Sequence, residues 1–315
     1  MRYLVTGGAG FIGSHIVDRL LKEDHFVRVI DNFSSGSEKN LEFALKQKNF
    51  ELIKADIRDY NSCQKAVESM DYVLHQAALR SVPKSMKDPY SYNEVNINGT
   101  LNLLRAALEK KIKRFVFASS SSVYGDTNVF PEKENFLPLL ISPYALSKLT
   151  GEYYCRIFSI NYGLETVSLR YFNVFGPRQS LDDEYAVVIP KFITEMLNDR
   201  QPPIYGNGKQ SRDFTYIDNV VEANILSATV PNLKCEVFNV ANGKDHTILE
   251  LVKILNQIMG KSIKPIFQEP RAGDVFKTCA DISKIKRRLG FKLLVDFESG
   301  LKITTQWFKD NKFPK

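Results

Sequence analysis

Tyr144 and Lys148 stand four positions apart in the run SPYALSK at 142–148. On a helix that spacing puts both side chains on one face, and Pro143 suits a helix start. A phenol has an ordinary pKa of about 10, and positive charge held beside it favours the phenolate. A phenolate so poised can take a proton from a hydroxyl group. Such a pair arises by chance on many helices, so its neighbourhood matters. Ser119, Ser120, Ser121 and Ser122 follow the apolar run at 114–118, which has the character of a buried strand. A serine at that strand end, about one connection upstream of the tyrosine, can bridge the phenol and a substrate hydroxyl. Ser120 is the first choice for that role and Ser121 the second. The other serines fit a turn that caps the strand.

A second cluster lies near the N-terminus. Gly7, Gly8, Gly10 and Gly13 satisfy both G-x-G-x-x-G and its variant G-x-x-G-x-x-G, with Phe11 and Ile12 between them. A missing Cβ lets the backbone turn tightly and approach a pyrophosphate, which a helix N-terminus then meets with free N–H groups. A strand precedes the loop, a helix follows it, and Asp31 closes the second strand, near the place of the acid that binds an adenine ribose. A carboxylate there accepts from both ribose hydroxyls and repels a 2′-phosphate, so the expected cofactor is NAD rather than NADP.

The elements that must position these groups alternate. Short apolar runs at 3–6, 26–30, 51–54, 72–75, 115–118 and 165–170 read as strands. Several are separated by stretches with helical periodicity, among them Ile12, Ile16, Val17, Leu20 and Leu21. A helix near 144–161 stops at Gly163. Repeated strand–helix units predict an α/β fold, a doubly wound parallel sheet of the Rossmann kind. Beyond about 174 the pattern loosens around prolines and glycines. One further strand is expected at 236–240, and Thr247 with Glu250 forms a capping box that opens a helix. The expected division is 1–173 with about 213–243 as the dinucleotide-binding domain. About 174–212 with 244–315 then forms a smaller substrate-binding lobe.

Of the 315 residues, 43% are hydrophobic and 25% charged, as in a soluble globular protein. No apolar run approaches the roughly 20 residues of a membrane span, and the N-terminus enters a strand at once, so a cytoplasmic protein without a signal peptide is expected. Cys63, Cys155, Cys235 and Cys279 form no C-x-x-C and the four histidines show no metal spacing, so no metal is expected. The net charge of +7 has its densest patches at 110–114 and 284–288, expected on solvated helix faces or ends. No recognition motif accompanies the charge, which argues against nucleic-acid binding.

Taken together the motifs identify a family. The segments at 7–13, 31–32, 56–57, 75–78, 96–100, 119–125, 144–148, 169–173, 211–213 and 271–274 make the chain resemble the extended short-chain dehydrogenase/reductases, and within them the UDP-hexose 4-epimerases. The resemblance covers nearly the whole chain. It implies reversible 4-epimerisation through a 4-keto sugar, with transient hydride transfer to bound NAD. It implies Ser120, Tyr144 and Lys148 as catalytic residues. The implied NAD contacts are Gly7, Gly10, Phe11, Ile12, Gly13, Asp31, Asn32, Asp56, Ile57, Gln76, Ala77, Arg80, Asn96, Tyr144, Lys148 and Tyr171. A UDP-sugar would meet Ser120, Ser121, Tyr144, Asn173, Val188, Tyr205, Arg212, Arg271, Asp274 and Thr278. A homodimer through a helix pair that includes the Tyr144 helix is implied as well.

Two departures refine this. Related sugar-nucleotide dehydratases carry an Asp-Glu pair after the catalytic hydroxyl; serines stand here, which speaks against expulsion of water. By resemblance Thr278 occupies a sugar-lining position that is a bulky tyrosine in members restricted to glucose and galactose. A small residue leaves room for a 2-acetamido group, so UDP-N-acetylglucosamine is expected beside UDP-glucose. The alternatives are a UDP-glucuronate 4-epimerase or decarboxylase of the same fold, and a non-catalytic NAD-binding regulator.

Overall fold

The computed structural model describes residues 1–180, 188–270 and 275–311. Six strands alternate with helices through the first half: β1 (Arg2–Thr6), β2 (Phe26–Asp31), β3 (Phe50–Lys54), β4 (Tyr72–His75), β5 (Arg114–Ser120) and β6 (Thr166–Tyr171). With the strand Glu236–Val240 they form one seven-stranded sheet, in the order Glu236–Val240, β6, β5, β4, β1, β2, β3. Every pairing in it is parallel. The strand order reverses beside β1, and the crevice beyond the carboxyl ends at such a switch point is where doubly wound sheets bind ligands.

Alternation along the strands explains the two apolar layers. Tyr3, Val5, Val27, Val29, Val116 and Ala118 enter one core, with Ile16, Val17 and Leu20 of the helix Phe11–Lys22 and Val220 and Ala223 of the helix Ile217–Thr229. Leu4, Ile30, Val73, Phe115 and Phe117 point the other way, onto Cys63, Leu103, Leu104 and Phe158. Successive residues of a strand face opposite sides, so a strand buried on both faces reads as a continuous apolar run. The first core continues without a break into the helices Val188–Leu197, Ile248–Met259 and Phe297–Asp310. Three two-stranded pairings connect that region: Thr215–Tyr216 with Val174–Phe175, His246–Thr247 with Ser211–Arg212, and Ile266–Gln268 with Pro203–Tyr205.

The helix signals in the sequence hold. Ser142 caps the helix Pro143–Tyr162 by accepting from the Ala145 N–H at 3.1 Å, and Gly163 ends it at φ +79°. The capping box of Thr247 and Glu250 is formed in both directions. One expectation fails. Arg114 is no solvated helix end: it opens β5, is 5% exposed, and donates to Glu165 at 2.6 Å. A strand that starts under neighbouring elements buries its first residue, which then needs a partner. No helix among the described residues is long and apolar enough to cross a membrane.

Candidate active site

Tyr144 sits in the first turn of the helix Pro143–Tyr162, which lies against β5. Close approach is possible because residue 151 is glycine. A Cβ there would stand 2.3 Å from the Phe117 ring. A buried ion pair fixes the same helix from below. Arg170 of β6 donates to both carboxylate oxygens of Glu152, at 2.9 and 2.8 Å, and Ser119 donates to the same group at 2.5 Å. Ser119 is therefore a structural serine. Ser120, the next residue, faces the opposite way at the end of β5, near enough to the Tyr144 hydroxyl to pull its pKa down. Its Oγ also accepts from the Ser122 N–H at 3.1 Å, and Ser121 opens the short turn Ser121–Tyr124.

Lys148 lies one turn on, as the spacing predicts. Its Nζ donates to the Ala118 carbonyl at 2.7 Å and stands 5.9 Å from the Tyr144 ring centre. The electrostatics differ from the expectation that Lys148 lowers the phenol's pKa. Burial raises Tyr144, while the nearby Ser120 hydroxyl and the charge of Arg80 pull it down. Burial also pushes the Lys148 ammonium down to about 7. Lys148 is buried and Tyr144 half-buried, and desolvation opposes the charged form of each.

Tyr144 and Lys148 line a cleft of about 640 Å³ at the carboxyl edge of the sheet, whose lining takes in Ser119 rather than Ser120. Gly7, Gly10, Phe11, Ile12, Gly13, Asp31, Asn32, Asp56, Ile57, Gln76, Ala77, Arg80 and Tyr171 line it too. The cleft fits a dinucleotide on grounds of its own. Gly7 has φ +64°, and a Cβ on it would lie 2.8 Å from the Ala77 backbone; one on Gly13 would lie 2.2 Å from the Gly7 carbonyl. No side chain caps the helix Phe11–Lys22 that starts at this turn, which leaves its first N–H groups for an anion. The Asp31 carboxylate accepts from the Ala9 and Phe33 N–H groups at 2.9 and 2.8 Å and keeps lone pairs for ribose hydroxyls. Asp56 accepts from Asn32 at 2.8 Å, and the Arg58 side chain bonded to it holds its carboxyl down at about 2. Asn96 stands behind the wall: its amide is bonded to Leu79, on both backbone groups, and to Ser147. His75 is bonded to Thr6 and Thr100 at 2.7 and 2.9 Å, and burial pushes it down to about 3. It is a neutral structural link.

A second pocket of about 210 Å³ adjoins the cleft, and Asn173, Val188, Tyr205 and Arg212 all line it. Arg212 is 9% exposed and donates to the Ser211 and Phe276 carbonyls at 2.8 and 3.2 Å. Thr278 lies one residue back from this pocket, its hydroxyl accepting from Asn173 Nδ2 at 3.0 Å. Arg271 and Asp274 lie outside the described residues. The sequence did not single out Gln179, Lys191 or Gln210, which complete the polar lining. Gln179 borders both pockets; its Oε1 is buried without a partner among the described residues. Trp307 and Arg178, also unanticipated, line the larger cleft. A helical run with one tryptophan carries no signal of such a role.

Comparison with known proteins agrees with this geometry. Residues 3–241 match the NAD dependent epimerase/dehydratase family. A solved UDP-N-acetylglucosamine 4-epimerase from Methanobrevibacter ruminantium, in complex with UDP-N-acetylmuramic acid, is 44% identical with a TM-score of 0.94, over 99% of both chains. A putative UDP-glucose 4-epimerase of Methanocaldococcus jannaschii is 39% identical over 98% of both chains. A UDP-glucuronic acid 4-epimerase from Bacillus cereus, solved with UDP-glucuronic acid and NAD, is 34% identical, with a TM-score of 0.92 over 99% of this chain and 100% of the other.

Proposed function

Since the chain belongs to the NAD dependent epimerase/dehydratase family, we propose that it interconverts the C4 epimers of UDP-hexoses, accepting UDP-N-acetylglucosamine as well as UDP-glucose. It is an NAD-dependent UDP-sugar 4-epimerase. The observation that carries the reading is that Tyr144 and Lys148, with Ser120 beside the phenol, line a dinucleotide-sized cleft that shares Gln179 with a pocket holding a buried arginine. Serines after the strand end supply no acid–base pair for expelling water.

Ser120 holds the phenol and the sugar O4 within one hydrogen-bonded chain. Tyr144 takes the O4 proton and returns it once C4 has been remade. The glycine turn and Asp31 would hold NAD, which would supply a reversible hydride acceptor for C4 and a positive ring that favours the Tyr144 phenolate. Lys148, which lines the cleft and faces the phenol ring, would bond a cofactor ribose. Arg212 suits a diphosphate, which a guanidinium meets with paired N–H donors. Asp31, Asn32 and Asp56 suit the adenosine end.

The sugar choice rests on Thr278. Thr278→Tyr adds a ring beside Asn173, and overpacking of that kind costs about 1–3 kcal/mol. kcat/KM for UDP-N-acetylglucosamine should fall about tenfold further than for UDP-glucose, both sugars sharing whatever is lost with the Thr278 hydroxyl that Asn173 and Asp213 bond. Equal losses on both sugars would contradict the assignment. The chain acts as a homodimer in this reading: Leu146, Tyr153, Ile157 and Ile160 recur on one exposed face of the Tyr144 helix. A solution mass equal to a single chain of 35.9 kDa would rule that out.

A further inference from the structure

The backbone that carries Thr278 is held from two sides by buried carboxylates. On one side Glu132, 1% exposed, accepts the Cys279 N–H on its side chain at 2.8 Å. Its backbone N–H donates to the Cys279 carbonyl at 2.7 Å, and its carbonyl accepts from Asp281 at 2.8 Å. On the other side Asp213, fully buried, accepts the Ala280 N–H at 3.1 Å together with those of Asn242 and Gly243 at 2.8 and 3.0 Å. The Asp213 N–H itself donates to Thr278 Oγ1 at 3.2 Å, and that oxygen also takes the amide of Asn173. Two carboxylates therefore grip consecutive residues of one segment. Through Thr278 they set the position of Asn173 in the nucleotide pocket.

The grip works against stability at neutral pH. Burial pushes both carboxyls up to about 7; Arg212 and Lys277 attract Glu132, Asp213 repels it, and Asp245 repels Asp213. The Cys279 thiol, itself pushed up to about 11, lies beside Asp213 and Asp245. A folded pKa above the unfolded value means that the folded state binds extra protons. The stability these groups contribute is then full below about pH 4 and is lost as the pH rises through about 7. An arrangement that lowers stability above pH 7, yet fixes a recognition segment by carboxylate-to-backbone bonds, has the character of a positioning device.

We propose that Glu132 and Asp213 are positioning residues for recognition of the UDP-sugar, holding Thr278 and, through it, Asn173 against the bound substrate. The assignment rests on the functional reading above. Ionised carboxylates accept these N–H groups best, and protonation puts a donor where an acceptor is needed. Loss of the grip removes binding shared by ground and transition states, which raises KM and leaves kcat nearly unchanged.

The test compares the full-length protein with Glu132→Gln and Asp213→Asn. KM for UDP-N-acetylglucosamine at about pH 8 should rise about tenfold in each, with kcat within about threefold, whatever each loses in melting temperature by leaving buried N–H groups unmatched. The parent's KM should rise as pH falls from about 8 to about 6, and less steeply in each variant, which keeps only one of the two carboxylates; Lys148 titrates in the same range in all three proteins and so cancels from the difference. A lowered melting temperature with KM unchanged would show a merely structural role and overturn the proposal. Should neither variant fold, calorimetric affinity of the parent for UDP-N-acetylglucosamine, whose diphosphate does not titrate in this range, decides: weaker binding at about pH 6 than at about pH 8 supports the grip, and equal binding overturns it. If the parent turns over no UDP-sugar, the functional reading fails instead, and UDP affinities across the same proteins still decide the grip.

Discussion

The end of the cleft proposed for proton transfer and the adjoining pocket proposed for the nucleotide are built in different ways. Tyr144, Lys148 and Ser120 stand on a 20-residue helix and a seven-residue strand, locked together by the buried Glu152–Arg170 pair and by contact through Gly151. Asn173 and Arg212 stand on a connection and a two-residue strand. Asn173 has φ +35°, a conformation that non-glycine residues adopt when their surroundings hold them there. Proton transfer needs a fixed geometry, and rigid elements supply it. Recognition of a diphosphate needs the right donors, and hydrogen bonds among loops can hold those. Damage to the first region should therefore appear in kcat or in stability, and damage to the second in KM.

The largest effect expected is on the lock itself. Glu152→Ala leaves the Arg170 guanidinium, 4% exposed, without its carboxylate, and breaking a buried pair by removing one partner costs about 3–5 kcal/mol. Denaturant unfolding should show a loss of that size, where a change under about 1 kcal/mol, usual for surface pairs, would mean that the helix is held by packing alone. Next comes the base. Tyr144→Phe keeps the ring and removes the proton acceptor, so turnover should drop at least about 100-fold with NAD still retained on the purified protein. Near-normal epimerisation by this variant would remove Tyr144 from the mechanism. The smallest effect belongs to the pocket. Arg212→Lys keeps the charge and loses the paired donors; UDP affinity by calorimetry should weaken about tenfold, roughly 1.4 kcal/mol, with NAD content unchanged. Unchanged UDP affinity would place the diphosphate elsewhere, and Arg271, outside the described residues, would be the next side chain to examine.

The same contrast explains what could be read without coordinates. The glycine turn, Asp31, and the Tyr144–Lys148 pair are local patterns whose spacing follows from helix and strand geometry, and each lines the cleft. The parallel sheet followed from alternating apolar runs for the same reason. Ser120 was distinguished from Ser119 only by its neighbours: strand alternation points Ser119 at Glu152, and nothing in a run of four serines says which face is which. The upward direction of the Tyr144 shift in the cofactor-free site was not legible because burial is a property of the packed site, and it outweighs the pull of Ser120 and Arg80. Gln179, Lys191 and Gln210 went unnoticed because they converge from a turn, a helix and a loop. Glu132 and Asp213 act through backbone groups 67 to 147 residues away, contacts that no periodicity encodes.

The central claim is inversion at C4 of a UDP-sugar, and proton NMR of the reaction mixture addresses it without coupling enzymes. UDP-N-acetylglucosamine incubated with the unmodified protein should give a second set of sugar signals, with the small H3–H4 and H4–H5 couplings of an axial 4-hydroxyl, growing to a constant ratio that is also reached from UDP-N-acetylgalactosamine. UDP-glucose should behave likewise. Spectra in which both sugars remain unchanged, or in which C6 is lost or water is expelled, would contradict the account.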